Sequence, residues 1–204
     1  MVTFKQKVDK SQIPVCNILG VNVTAIDMEW LLDFTDRHIK KLSGDYMCVS
    51  NVHTTVISYE DKTYCNVHKG GIMAIPDGGP LSTGGRKRGF KNMKCTTGHS
   101  YMGEIFSISV SEGLLPFSYG STEETHEKLN MMLRHDYPGI QIAGMYSLPF
   151  RPSTEEENHL VIERINETKP DFVWVGLGAP EQERWMVEYQ GKIKGFTVGV
   201  EVGF

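Results

Sequence analysis

A chain of 204 residues, 40% hydrophobic and 23% charged, is long enough for one substantial core, and its composition is that of an ordinary soluble globular protein. A net charge of −4 excludes a global basic field for nucleic acid, with Arg86, Lys87, Arg88, Lys91 and Lys94 as a local exception. Cys16, Cys48, Cys65 and Cys95 are scattered, which argues against a zinc knuckle or a secreted disulfide framework and fits a reducing cytosol.

The N-terminus shows no apolar signal core, and no apolar run approaches the ~20 residues of a membrane span. A soluble or peripheral protein is expected. In chain order, strands are predicted at residues 15–19, 46–50, 71–75, 115–119, 140–145, 172–176 and 196–200. Several are near-continuous apolar runs, as in parallel strands covered on both faces. Asp27 is predicted to cap a helix through Leu42, with Trp30, Leu31, Phe34 and Ile39 on its apolar stripe and Gly44 closing it. Ser121-Thr122-Glu123-Glu124 and Ser153-Thr154-Glu155-Glu156 match the capping-box pattern and predict helices to about Asp136 and Thr168. Pro149 and Pro152 mark an exposed loop. The alternation predicts an α/β, Rossmann-like fold, a largely parallel sheet with helices on both faces, in one domain over residues 1–204.

In such sheets ligands sit beyond the carboxyl ends of the strands. Gly120-Ser121 ends one strand and opens a helix. Gly176-Leu177-Gly178-Ala179-Pro180 ends another and leads into a helix with Pro180 in its first turn, a start suited to phosphate. Gln182 and Glu183 then stand near anything bound at that mouth. A purely structural turn, with glycine needed only for packing, is the competing reading. Asp77, between an apolar strand and Gly78-Gly79, is the best single candidate for chemistry, as a general base at the rim of the sheet. Stabilising a Pro-Asp-Gly-Gly turn is its alternative role. No Asp-x-Asp pair exists to hold a divalent metal against a diphosphate, and the histidines lack metal-ligand spacing. No metal or other cofactor is expected.

The segments Ser50-Asn51-Val52-His53, Ile75-Pro76-Asp77-Gly78-Gly79-Pro80-Leu81 and Val175-Gly176-Leu177-Gly178-Ala179-Pro180-Glu181-Gln182-Glu183 resemble the WecG/TagA/CpsF glycosyltransferase family. Asp136-Tyr137-Pro138-Gly139-Ile140 and Ile165-Asn166-Glu167-Thr168-Lys169-Pro170-Asp171 follow in the family's order, and the similarity runs from about Asn17 to the last residue. The resemblance implies a Rossmann-like, inverting enzyme that moves N-acetylmannosamine or a relative from a UDP-sugar to a polyprenyl-diphosphate-linked saccharide. It further implies a cytoplasmic protein, peripheral at the inner face of the bacterial membrane and self-associating. Asp77 falls on the family's base, Ser50 and Asn51 on its polar pair, and Gln182 and Glu183 on its Gln-Glu pair. His53 and His99 lie beside matched motifs. Gly78, Gly120, Ser121, Gly176 and Gly178 complete the expected substrate-binding set.

Three departures accompany the resemblance. Cys95-Thr96-Thr97-Gly98-His99-Ser100 replaces a family arginine and Thr-Gly-Pro-Asp, leaving Lys94 to replace that cation in part at the substrate, without arginine's planar fork, and Ser100 as a helix cap. Glu201 stands where the family has a small residue. The sequence stops at Phe204, short of the family's basic and aromatic C-terminal, membrane-associating segment, so weak or absent transfer is expected of it. A non-catalytic nucleotide-sugar or glycan-binding relative, and an unrelated nucleotide-binding module, are the other readings.

Overall fold

The computed structural model describes residues 8–148 and 154–200. The expectations for Pro149, Pro152, Ser153 and Glu201 fall outside these residues. A hairpin of β1 (Val15–Ile18) and β2 (Val21–Thr24) is antiparallel and separate from the main sheet. That corrects the sequence expectation, in which residues 15–19 join the parallel set and β2 is missing. The main sheet contains β3 (Tyr46–Ser50), β4 (Met73–Pro76), β5 (Pro116–Gly120), β6 (Gly144–Tyr146), β7 (Phe172–Gly176) and β8 (Phe196–Gly199), in the order β4-β3-β8-β7-β5-β6. Every pairing within it is parallel.

Alternate side chains of these strands point to opposite faces, so each face builds its own core. Met47, Val49, Ile75, Phe172, Trp174 and Val198 pack on one side. There they meet α1 (Met28–Leu42), α5 (Gly98–Glu112) and α6 (Glu123–Asp136). Tyr46, Cys48, Ala74, Val173 and Val175 pack on the other, against α3 (Lys62–Gly70), α7 (Glu155–Glu167) and α8 (Glu181–Glu188). Two short helices, α2 (Val52–Glu60) and α4 (Gly79–Lys87), complete the described helices. Among the described residues no helix is long and apolar enough to cross a membrane.

The caps follow local chemistry, with small shifts from the sequence expectations. Thr122, rather than Ser121, caps α6 and accepts the Thr125 N–H. Thr154 and Glu157 form the capping box of α7. Thr97 caps α5, three residues before the expected Ser100. Asp27 caps α1 as expected: Oδ1 accepts the Trp30 N–H at 3.1 Å and Oδ2 the Lys94 ammonium at 3.0 Å. The Trp30 N–H first, and Lys94 second, hold the Asp27 carboxyl below its ordinary value of 3.8. Its stabilising effect is therefore full above 3.8 and is lost as pH falls through the lower folded value. Asp27→Ala is expected to cost about 1 kcal/mol near neutrality. The difference in urea midpoint between variant and wild type should shrink below pH 3.8; a difference that grows with acid would contradict this account.

Candidate functional site

Three strand ends and three helix starts converge on one cleft. β3 ends at Ser50, and Asn51 caps α2: its Oδ1 accepts the Thr54 N–H and the Thr54 hydroxyl oxygen accepts the Asn51 N–H, both at 3.0 Å. β4 ends at Pro76, and the next residue, Asp77, donates its N–H to the Ser50 carbonyl at 2.7 Å. That bond ties the two strand ends together and stands Asp77 at the rim. Its Oδ2 accepts the Gly98 N–H, at the first residue of α5, at 3.4 Å. Gly98 leaves little room for a side chain, since a Cβ there would lie 3.0 Å from Val49 and 3.2 Å from Val200. The glycine lets the start of α5 settle directly on the sheet. β7 leads through residues 177–180 into α8, with a cis Ala179–Pro180 bond and Pro180 as N-cap.

The cleft has a volume of ≈340 Å³ and is lined by Asn51 and Thr54, by Asp77, by Thr97, Gly98 and His99, and by Ala179 and Gln182, over Val49. Apart from Asp77 and Val49 its walls are the starts of α2, α5 and α8. The positive ends of three helix dipoles therefore border one space, an arrangement that attracts anions, while the Thr54, Gly98 and Gln182 N–H groups are held by Asn51, Asp77 and the Gly178 carbonyl. No lysine or arginine is among its described lining residues.

Of the residues expected at a ligand, Asn51, Asp77 and Gln182 line this cleft, together with His99. The others do not. Ser50 is fully buried, with its hydroxyl 3.0 Å from His68 Nδ1. Burial pushes His68 down to about 4, so the ring is neutral near pH 7. His53 is exposed on the first turn of α2. The Lys94 ammonium is engaged by Asp27, and Cys95 Sγ accepts the Gly78 N–H at 3.2 Å. Gly78 takes φ +99° beside Asp77. Gly120 and Gly176 are register partners at the ends of β5 and β7, and Ser121 donates its N–H to the Gly176 carbonyl at 2.8 Å. Gly178 lies in the turn after β7 with φ +79°.

Glu183 turns inward. It is fully buried, its Oε2 accepts the Tyr64 hydroxyl at 3.0 Å, and its Oε1 accepts the Gln182 amide at 2.9 Å. Burial pushes its carboxyl above 4.5, against the pull of these two hydrogen bonds. Sequence reasoning missed Thr54, Thr97, Gly98 and Ala179 in the lining. Thr97-Gly98 carried a usable signal, a good cap followed by a residue that permits close approach. Among the described residues no group of three or more His, Cys, Asp or Glu is placed to hold a metal ion.

The model of the Glycosyl transferase WecG/TagA/CpsF family matches residues 16–204. An N-acetylglucosaminyldiphosphoundecaprenol N-acetyl-beta-D-mannosaminyltransferase of Bacillus subtilis (strain 168) is 22% identical over 160 residues, covering 78% of this chain and 60% of that protein. A protein of the same name from Staphylococcus aureus (strain NCTC 8325 / PS 47) is 22% identical over 197 residues, covering 96% of this chain and 75% of that protein. The chain thus spans between three fifths and three quarters of the length of these relatives.

Proposed function

The chain belongs to the WecG/TagA/CpsF glycosyl transferase family, and from that premise we propose that it transfers N-acetylmannosamine or a related sugar from a UDP-sugar to a polyprenyl-diphosphate-linked saccharide. The observation that carries this reading is the cleft itself, where one carboxylate faces the starts of three helices. Asp77 takes the proton of the acceptor hydroxyl as its oxygen attacks the anomeric carbon. The bond from that carbon to the diphosphate oxygen breaks on the opposite face, so configuration inverts and UDP departs. The helix-start N–H groups carry the charge that grows on the leaving diphosphate.

Those donors replace a metal in this proposal, since the sequence holds no Asp-x-Asp pair. Turnover is expected to stay within about twofold of its untreated value in excess chelator. An absolute need for added Mg²⁺ or Mn²⁺ would overturn metal independence while leaving the transfer reading intact. Acting on a lipid-linked acceptor, the protein works peripherally at the inner face of the membrane, and self-association is part of the same proposal.

One observation favours a second reading, a nucleotide-sugar binder without turnover: the cation expected near the cleft, Lys94, is bound to Asp27. Calorimetric titration with UDP and UDP-N-acetylmannosamine, followed by a turnover assay, separates the two. Transfer supports the enzyme, saturable binding without transfer supports the binder, and no binding of either ligand overturns both.

A further inference from the structure

A buried carboxylate and an orphaned buried amide oxygen lie side by side under the cleft. Gln182 is 3% exposed and lines the cleft, yet its Oε1 is buried without a hydrogen-bond partner. Its Nε2 donates to Glu183 Oε1 at 2.9 Å. The other Glu183 oxygen accepts the hydroxyl of Tyr64, itself 1% exposed and set edge-on to His68. Gly199 on β8 leaves room for this arrangement, since a Cβ there would meet Gln182 Nε2 at 3.2 Å and Met186 at 2.8 Å.

Each group taken alone destabilises the free protein. A buried acceptor without a donor forfeits the hydrogen bond that water would have supplied, and a buried carboxyl loses its hydration. Placing both in the first turn of a helix at the cleft wall breaks local rules where a ligand would bind. The chemistry of the pair also fixes a direction. Both Glu183 oxygens accept, one from Tyr64 and one from Gln182, so the amide meets the carboxyl with its NH₂ side and its carbonyl side is turned away.

We propose that Glu183 is a positioning residue: anchored by Tyr64, it locks the Gln182 amide so that the carbonyl oxygen is kept for a hydrogen-bond donor, an O–H or N–H, of the bound sugar nucleotide. The proposal rests on the transferase reading for the identity of the ligand and on the chain's own hydrogen bonds for the positioning. Glu183 itself touches no substrate. Its role is to choose which face of Gln182 the substrate meets, and a site built around a committed acceptor rejects a ligand without the matching donor.

The test is a double-mutant cycle of Glu183→Gln with Gln182→Ala, read as affinity for UDP and for UDP-N-acetylmannosamine. Glutamine at 183 can offer Gln182 either its oxygen or its NH₂, so the lock is lost. Glu183→Gln is expected to weaken binding about tenfold in the wild-type background and hardly at all when Gln182 is alanine. A loss seen with both ligands places the donor on the nucleotide, and a loss confined to the UDP-sugar places it on the sugar. Equal losses in both backgrounds, or no loss in either, would overturn the proposal.

Two readouts need no ligand, and so separate failure of this inference from failure of the transferase reading. In wild type the Gln182 side-chain NH₂ should give a distinct, slowly exchanging NMR pair that becomes fast-exchanging in Glu183→Gln; unchanged exchange would overturn the lock. Glu183→Gln should also become more stable than wild type as pH rises above 4.5, because ionisation of a group whose folded value is raised opposes folding. The groups facing Glu183 are Tyr64 from α3, Cys48 from β3, and Gln182 and Glu181 from its own helix. A variant weaker in binding yet firmer in folding is not what a merely structural glutamate would produce.

Discussion

Asp77→Asn is expected to lower kcat by about 10²–10⁴-fold while leaving UDP affinity within about threefold of wild type. Asparagine has the same shape and can still accept the Gly98 N–H, so the helix start and the strand-end bond from Asp77 N–H to the Ser50 carbonyl are preserved. What is lost is the ability to take a proton from the acceptor hydroxyl at the rim of the sheet. An effect on kcat with little effect on nucleotide binding is the mark of a group needed in the transition state rather than for uniform binding. Paired assays on variant and wild type, steady-state transfer and calorimetric UDP titration, decide it. A variant turning over within about tenfold of wild type would remove Asp77 as the base. A collapse of UDP affinity would give it a binding role instead.

Gly120→Ala is expected to destabilise the protein by roughly 2–5 kcal/mol, from backbone strain and overpacking acting together. Gly120 takes φ +97°, which side-chain-bearing residues adopt at a penalty. A Cβ would also stand 2.6 Å from the Gly176 carbonyl oxygen and 2.8 Å from Leu177 Cδ2. Backbone is the obstacle, so relief would require β5 and β7 to separate where Gly120 pairs with Gly176 and Ser121 donates to the same carbonyl. The turn after β7 leads directly to Ala179 and Gln182 in the cleft wall, so activity should fall along with stability. Urea unfolding followed by circular dichroism gives the magnitude. A loss under about 1 kcal/mol would show that the glycine is not there for packing.

Much of the frame was legible in the chain because its signals are local. β3 and β7 appear at their expected bounds, since five-residue runs buried almost throughout read the same in sequence and in structure. α1 runs from its Asp27 cap to Leu42, as its stripe and its cap require. The weaker elements went astray for identifiable reasons. Ile140 and Ile142 are apolar because they pack against the core from outside the sheet, so the strand expected at 140–145 occupies Gly144–Tyr146. β2 was hidden because Leu19-Gly20 turns the chain straight back into a hairpin, with φ +50° and +91° at those residues. Neither α2 nor α3 announced itself, the Asn51 and Asp61 caps being ordinary polar residues in sequence.

The site divides in the same way. Apolar runs and turn residues by themselves determined a parallel α/β sheet, with Asp77 and Gln182 beyond the ends of its strands, because such patterns depend on near neighbours in the chain. Which polar side chains face the cleft was decided only in three dimensions. Ser50 goes to His68, Lys94 to Asp27 and Glu183 to Tyr64, while Thr97, Gly98 and His99 come in from a helix start between β4 and β5. Each of these polar groups, buried like Ser50 and Glu183 or exposed like Lys94, takes the partner that packing brings within hydrogen-bond reach, and those partners lie 18, 67 and 119 residues away along the chain.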